Sequence, residues 1–162
     1  MLISPLQKIR AIADYQFGRG IGNFLFPDNV KLSFSRRTGK IRHISLENEL
    51  LATLRPTSGL FALTVEGASR MTLFEPRRLW VEVQDDVSDF IAKGRTVFAK
   101  HVIDCDEEIR PGEEVAVISK EGHVLAVGRA VLAGSEMKAF SHSVAVRVRR
   151  GISENRKRKV KR

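Results

Sequence analysis

The chain has 162 residues, a formal net charge of +9 and a pI near 10.2, which points to a polyanionic partner such as nucleic acid. Its 43% hydrophobic and 29% charged residues are the balance of a globular protein, and a chain of this length holds one medium domain or two small ones. No apolar run reaches the roughly 20 residues of a membrane helix, and the N-terminus lacks the basic start and apolar stretch of a secretory signal, so a cytoplasmic protein with no membrane partner is expected.

In chain order, Ser4-Pro5 opens a helix. Ser4 suits the N-cap, Pro5 the first turn, and Gln7 completes a capping box. Leu6, Ile9 and Ala13 follow at helical spacing, and Gly18 ends the run. The stretch FGRGIGNFLF, with Gly18, Gly20 and Gly22, follows no predicted strand, so it reads as a glycine-rich turn and not as a dinucleotide fingerprint. From Val30 the pattern is strand-like. Val30, Leu32 and Phe34 lead into the basic turn Arg36-Arg37-Thr38-Gly39. KIRHISL, the turn Glu47-Asn48, LLATL and the loop Arg55–Gly59 follow. Phe61, Leu63 and Val65 then alternate as a further strand ending at Gly67. Residues 1–78 are therefore expected to form an α+β domain, a helix plus antiparallel strands.

A second unit, residues 79–152, begins with the strand Leu79, Val81, Val83. Asp85-Asp86 caps a helix whose apolar face is Val87, Phe90 and Ile91 and which Gly94 terminates. TVFAKHVID, EEVAVIS, HVLAVGRAVL and VAVRVRR then read as strands separated by Arg110-Pro111-Gly112 and Lys120-Glu121-Gly122. Short strands at even spacing with one helix predict a β-barrel or pseudo-barrel. Residues 153–162 have too little apolar content to pack and read as a basic, disordered tail.

The charge is unevenly spread. Residues 1–78 hold 12 Lys/Arg against 6 Asp/Glu, residues 79–152 hold 10 against 12, and residues 153–162 hold 6 against 1. A solvated surface with a sticky tail explains this as well as a nucleic-acid face does. In VAVRVRR, Val144, Val146 and Val148 take one face and Ala145, Arg147 and Arg149 the other. With Arg150 alongside, this is either a stripe that follows a phosphate backbone or a barrel strand whose outer face is merely basic. Lys93 and Arg95 flank Gly94, where backbone can approach a ligand closely, and Lys100 follows. Lys93 also suits a helix C-terminus on dipole grounds alone. Phe98 and Trp80 read as core residues.

Catalytic signals are absent. Cys105 is the only cysteine, flanked by Asp104 and Asp106, which disfavour its thiolate. It leaves no disulfide and no cysteine zinc site, and the four histidines are scattered. The paired acids, among them Glu113-Glu114, fall at turns as solvated charge. No catalytic residue, metal ligand or cofactor is assigned, and an enzyme built on His43 or the acidic turns is the remote alternative.

The run GRTVFAKHV, EEIRPGEEVAVIS, HVLAVGRAVLAGSEMKAF and VAVRVRRG resembles a PUA domain, the RNA-binding module of pseudouridine synthases and archaeosine transglycosylases. DYQFG, SRRTGKIRHI and LLATLRPTSGLFALTVEGA resemble the preceding linker domain of archaeal tRNA-guanine transglycosylase, so the resemblance covers about residues 10–151. It implies an N-terminal α+β domain followed by a PUA β-pseudo-barrel. It also implies RNA contacts at Lys93, Gly94, Arg95, Lys100, Arg147 and Arg149, with Arg150 beside them, gripping the tRNA acceptor stem and 3′ end. The family's catalytic TIM barrel and cysteine-rich zinc site have no counterpart in these 162 residues. The expectation is thus a noncatalytic, tRNA-binding subunit of a split transglycosylase, completed by a separate TIM-barrel polypeptide. The alternative is a free-standing RNA-binding module serving another RNA-modification or translation complex. Ser141-His142-Ser143 departs from the basic residue and glycine usual before the last strand.

Overall fold

Ser4 caps the first helix, α1 (Pro5–Phe17), in the computed structural model, which describes residues 2–154. The capping box forms as its residues demand: the Gln7 N–H donates to Ser4 Oγ at 3.2 Å and the Ser4 N–H to Gln7 Oε1 at 3.0 Å. Ile9, Ala13 and Phe17, one turn apart, are fully buried; burying each of the two large ones contributes about 1.5–3 kcal/mol. The chain divides between Arg78 and Leu79 into two compact units.

In the first unit, α1 leads through a turn into a short helix, α2 (Ile21–Leu25). Four strands follow: β1 (Lys31–Phe34), β2 (Ile41–Leu46), β3 (Glu49–Leu54) and β4 (Phe61–Leu63), then helix α3 (Val65–Met71). The strands make one antiparallel sheet in chain order. Leu32, Ile44, Ala52 and Leu63 lie in register across it, and the last three are buried. Phe26 packs edge-on against Phe61 with centroids 5.2 Å apart. The end of the sheet at β4 is closed by a side chain. Gln16 of α1 accepts from the Phe61 N–H at 2.7 Å and donates to its carbonyl at 2.9 Å, in place of a further strand.

The second unit runs β5 (Trp80–Val83), a 3-10 turn, α4 (Ser88–Ala92), β6 (Val97–Phe98), a 3-10 turn at Ala99–His101, and β7 (Val102–Cys105). It continues with β8 (Glu114–Ile118), β9 (Val124–Ala130), α5 (Gly134–Met137) and β10 (Val144–Gly151). The sheet order β6-β10-β9-β8-β5-β7 is antiparallel except for the parallel β5–β8 pair. It curls into a nearly closed barrel with β8 at its centre, buried at all five positions. Among the described residues no helix is long and apolar enough to cross a membrane.

The structure corrects several local readings. FGRGIGNFLF is not all turn, since Ile21–Leu25 is helical. Val65 begins α3 instead of ending a strand, because the Thr64 hydroxyl accepts from the Gly67 N–H at 3.0 Å and caps a new helix. TVFAKHVID is broken by the 3-10 turn at Ala99–His101. Phe90, placed on the apolar face of its helix, is 59% exposed. Of the expected basic tail, residues 155–162 lie outside the described residues.

Candidate nucleic-acid interface

Three strands of the barrel bring charge into one row. Glu114 on β8 is in register with Arg129 on β9, and Arg129 with Arg147 on β10. Residues directly opposed across antiparallel strands share a face. Arg129 and Arg147 are both exposed, and among the described residues neither has a carboxylate within ion-pair distance. Like charges directly opposite one another destabilise a sheet, so this pair costs the fold something.

Arg149 is placed differently. A β-bulge between Val148 and Arg150 shifts the register of β10, and bulges re-aim side chains. The Arg149 guanidinium forms a two-pronged bond with the Glu114 carboxylate, Nη1 to Oε1 at 2.6 Å and Nη2 to Oε2 at 2.7 Å. Glu114 is only 5% exposed. A buried carboxylate is stable when paired this way and costly when not. Sequence reading took Glu114 for solvated turn charge. It is instead the anchor of Arg149, and the row nets one acid against three arginines.

Arg150 reaches another acid, Glu154, at 3.4 Å. Glu154 also lies against Gly94: a Cβ there would strike its carboxylate. Gly151, two residues past Arg149, sits so close to Ala92 that a Cβ would collide with the Ala92 carbonyl. This contact brings the end of α4, with Lys93 and Gly94, up against the end of β10. Lys93, Arg95 and Lys100 are exposed. The seven residues picked from sequence fall into groups by their contacts. Arg147 and Arg149 lie in the row with Arg129 and Glu114, Arg150 and Gly94 share Glu154, and Lys100 follows β6.

Two further expectations change. Ala145 is fully buried, not outward-facing, because an irregularity between Val144 and Val146 lets β10 bury two successive residues. Phe98, read as core, is 43% exposed opposite Val144. Arg129 was missed altogether. The alternation of HVLAVGRAVL puts it outward, but only the β9–β10 register places it opposite Arg147.

Among the described residues no group of three or more His, Cys, Asp or Glu is placed to hold a metal ion. Cys105 is buried and donates to the Gly134 carbonyl. Burial pushes its thiol pKa up; Lys138 opposes this, and Asp104, Asp106 and Glu107 add to it. Burial therefore outweighs the flanking acids that the sequence suggested. Nearby, the Lys138 ammonium sits 3.0 Å from Asp104 and holds that carboxyl below its ordinary range.

Residues 7–76 match the family described as the patch-forming domain C2 of tRNA-guanine transglycosylase, and residues 80–152 match the PUA domain. The chain is 43% identical over 150 residues to the tRNA-guanine(15) transglycosylase of Methanothermobacter thermautotrophicus, covering 92% of this chain and 23% of that protein. It is 42% identical over 147 residues to the Thermococcus onnurineus protein of the same name, with 90% and 25% covered. The chain therefore spans about a quarter of the length of these curated relatives. Among solved structures, a hypothetical protein of Pyrococcus horikoshii OT3 superposes with a TM-score of 0.71 at 24% identity, covering 90% of this chain and 89% of that one. A PUA domain of Aeropyrum pernix K1 gives 0.68 at 14% identity, with 94% and 85% covered. These two likenesses support the fold.

Proposed function

We propose, taking as premise that this is a C2–PUA chain of the tRNA-guanine transglycosylase family, that it binds tRNA in the cytoplasm. In this reading it serves the family's base-exchange reaction as the part that grips the substrate. The observation that carries the reading is the Arg129–Arg147 pair, two exposed cations held face to face on a rigid sheet with no acid between them. Such a pair matches successive phosphates of a nucleic-acid backbone and supplies affinity without reading bases. Lys93, Arg95 and Lys100 extend the positive surface toward the acceptor stem and 3′ end, and Phe98 offers a face on which an unpaired base stacks. Arg149 and Arg150 contribute charge while held by Glu114 and Glu154.

The relatives extend well beyond the matched region. A separate polypeptide carrying the catalytic barrel completes the enzyme in this proposal, with the present chain as its noncatalytic subunit.

The RNA reading is tested by titrating labelled tRNA at several salt concentrations with wild-type protein and with the R129E/R147E double variant. The variant keeps its fold by circular dichroism, and the slope of log affinity against log salt falls by about 2, or about 1 per lost phosphate contact. An unchanged slope removes the row as an RNA contact. The subunit reading is tested by adding the chain to a barrel-only transglycosylase and following base exchange on full-length tRNA. Stimulation supports it; none leaves an RNA-binding module that serves some other complex.

A further inference from the structure

At one end of the first unit, three elements that are far apart in sequence converge on a groove of about 230 Å³. Helix α1 contributes Lys8 and Ile12, the β1–β2 loop and the start of β2 contribute Arg37, Lys40, Ile41 and Arg42, and the β3–β4 region contributes Leu54, Arg55 and Pro56. The two loops are built alike. Ser35 and Lys40 close one and Arg55 and Leu60 the other, through N–H to carbonyl bonds of 2.8 and 2.9 Å. Each carries a glycine in the left-handed region, Gly39 at φ 69° and Gly59 at φ 71°, a conformation that costs glycine nothing. In an antiparallel meander, the first and third connections fall at the same end of the sheet, so both loops reach the groove.

Five cations thus line one small groove, and no acid lines it. Among the described residues none of the five makes an ion pair, whereas Arg10, also on α1, is tied to Asp28 at 2.9 Å. Half-buried Ile12, Ile41 and Leu54 form an apolar wall between the charges. Phosphate answers the first feature and a ribose or base edge the second, so the two together specify a nucleotide better than a bare anion.

We infer that this groove seats one unpaired nucleotide of the bound RNA, its phosphate among Lys8, Arg37, Lys40, Arg42 and Arg55 and its sugar and base against Ile12, Ile41 and Leu54. The inference rests on the reading that the chain binds RNA and adds a second contact, on the first unit. A paired nucleotide offers only its phosphate, because its base is stacked within the helix, so the groove favours loops and ends over duplex.

The test uses the full chain with labelled Ile and Leu methyl groups, titrated with adenosine monophosphate, with inorganic phosphate at equal ionic strength, and with tRNA. Adenosine monophosphate and tRNA are expected to shift the Ile12, Ile41 and Leu54 signals, and phosphate alone to leave them nearly unmoved. In parallel, the R42E/R55E variant is expected to lose affinity about tenfold for tRNA while keeping wild-type affinity for a fully paired duplex. Its salt slope on tRNA should drop by about 0.7, the value for one single-strand phosphate contact. Equal losses on duplex and tRNA, or methyl signals indifferent to both adenosine monophosphate and tRNA, overturn the inference. Methyl shifts with adenosine monophosphate in a protein that binds no RNA would keep the groove as a nucleotide site and sink the RNA reading instead.

Discussion

The two cationic regions of this protein solve different electrostatic problems. On the barrel, Glu114, Arg129 and Arg147 form a row across hydrogen-bonded strands, and Arg149 beside them is locked to the buried acid. In the first unit, five cations on three elements surround an apolar groove that no acid lines. An open row with spacing set by strand register suits a continuous phosphate chain, whereas a groove with a greasy wall suits a single nucleotide. The contrast teaches that net charge is a poor guide to where exposed positive charge gathers. The barrel segment is slightly acidic overall, yet it presents an uncompensated arginine pair.

The strongest way to break this comparison is to remove the arginine that is locked to Glu114. Arg149→Met leaves Glu114 buried without its two-pronged partner, and such orphaning costs about 3 kcal/mol. Chemical denaturation should show that loss. A neutral result would mean that Glu114 finds water or another partner, and that the row is not organised around it. The converse change sharpens the comparison. Glu114→Gln keeps the shape, removes the negative charge facing Arg149, and should steepen the salt slope of RNA binding by up to about 0.9, one duplex phosphate contact. A slope no steeper than wild type would show Arg149 pointing away from the RNA.

A smaller effect separates both regions from ordinary surface pairing. Asp104 has its pKa lowered by the Lys138 ammonium, and Lys138 has its pKa raised by the same contact. The Asp104 contribution is present above the ordinary aspartate value and is lost as pH falls through the lowered one. The Lys138 contribution is present below the ordinary lysine value and is lost as pH rises through the raised one. The stability difference between wild type and Lys138→Met should therefore be small and flat between about pH 5 and 9, and should fade outside that window. A difference that varies across neutral pH would implicate another group.

What the sequence disclosed and what it hid divide along physical lines. The capping box at Ser4–Gln7, the turn at Glu47-Asn48 and the alternating strands are set by neighbours within a few residues, so they were legible. Val65 was misread because alternation in FALTV competes with the Thr64 cap, and the cap won. The outward reading of Ala145 failed because a bulge breaks the period of two that the inference needs. The Glu114–Arg149 bond joins residues 35 apart in the chain, and the groove gathers Lys8, Arg42 and Arg55 from three segments that each look like ordinary solvated turn or helix surface. Such sites exist only once register and packing are known.

Gln16 has an effect some distance from where it sits. Its amide is stitched to the backbone of Phe61 by two bonds, and Lys8 lies eight residues earlier on the same rod, roughly 12 Å away along its axis. Two bonds from one amide resist both sliding and rolling of the helix against the sheet, so they help set the gauge of the opening between α1 and the twin loops. Cutting the stitch with Gln16→Ala would leave every lining residue unaltered in kind and let that gauge drift.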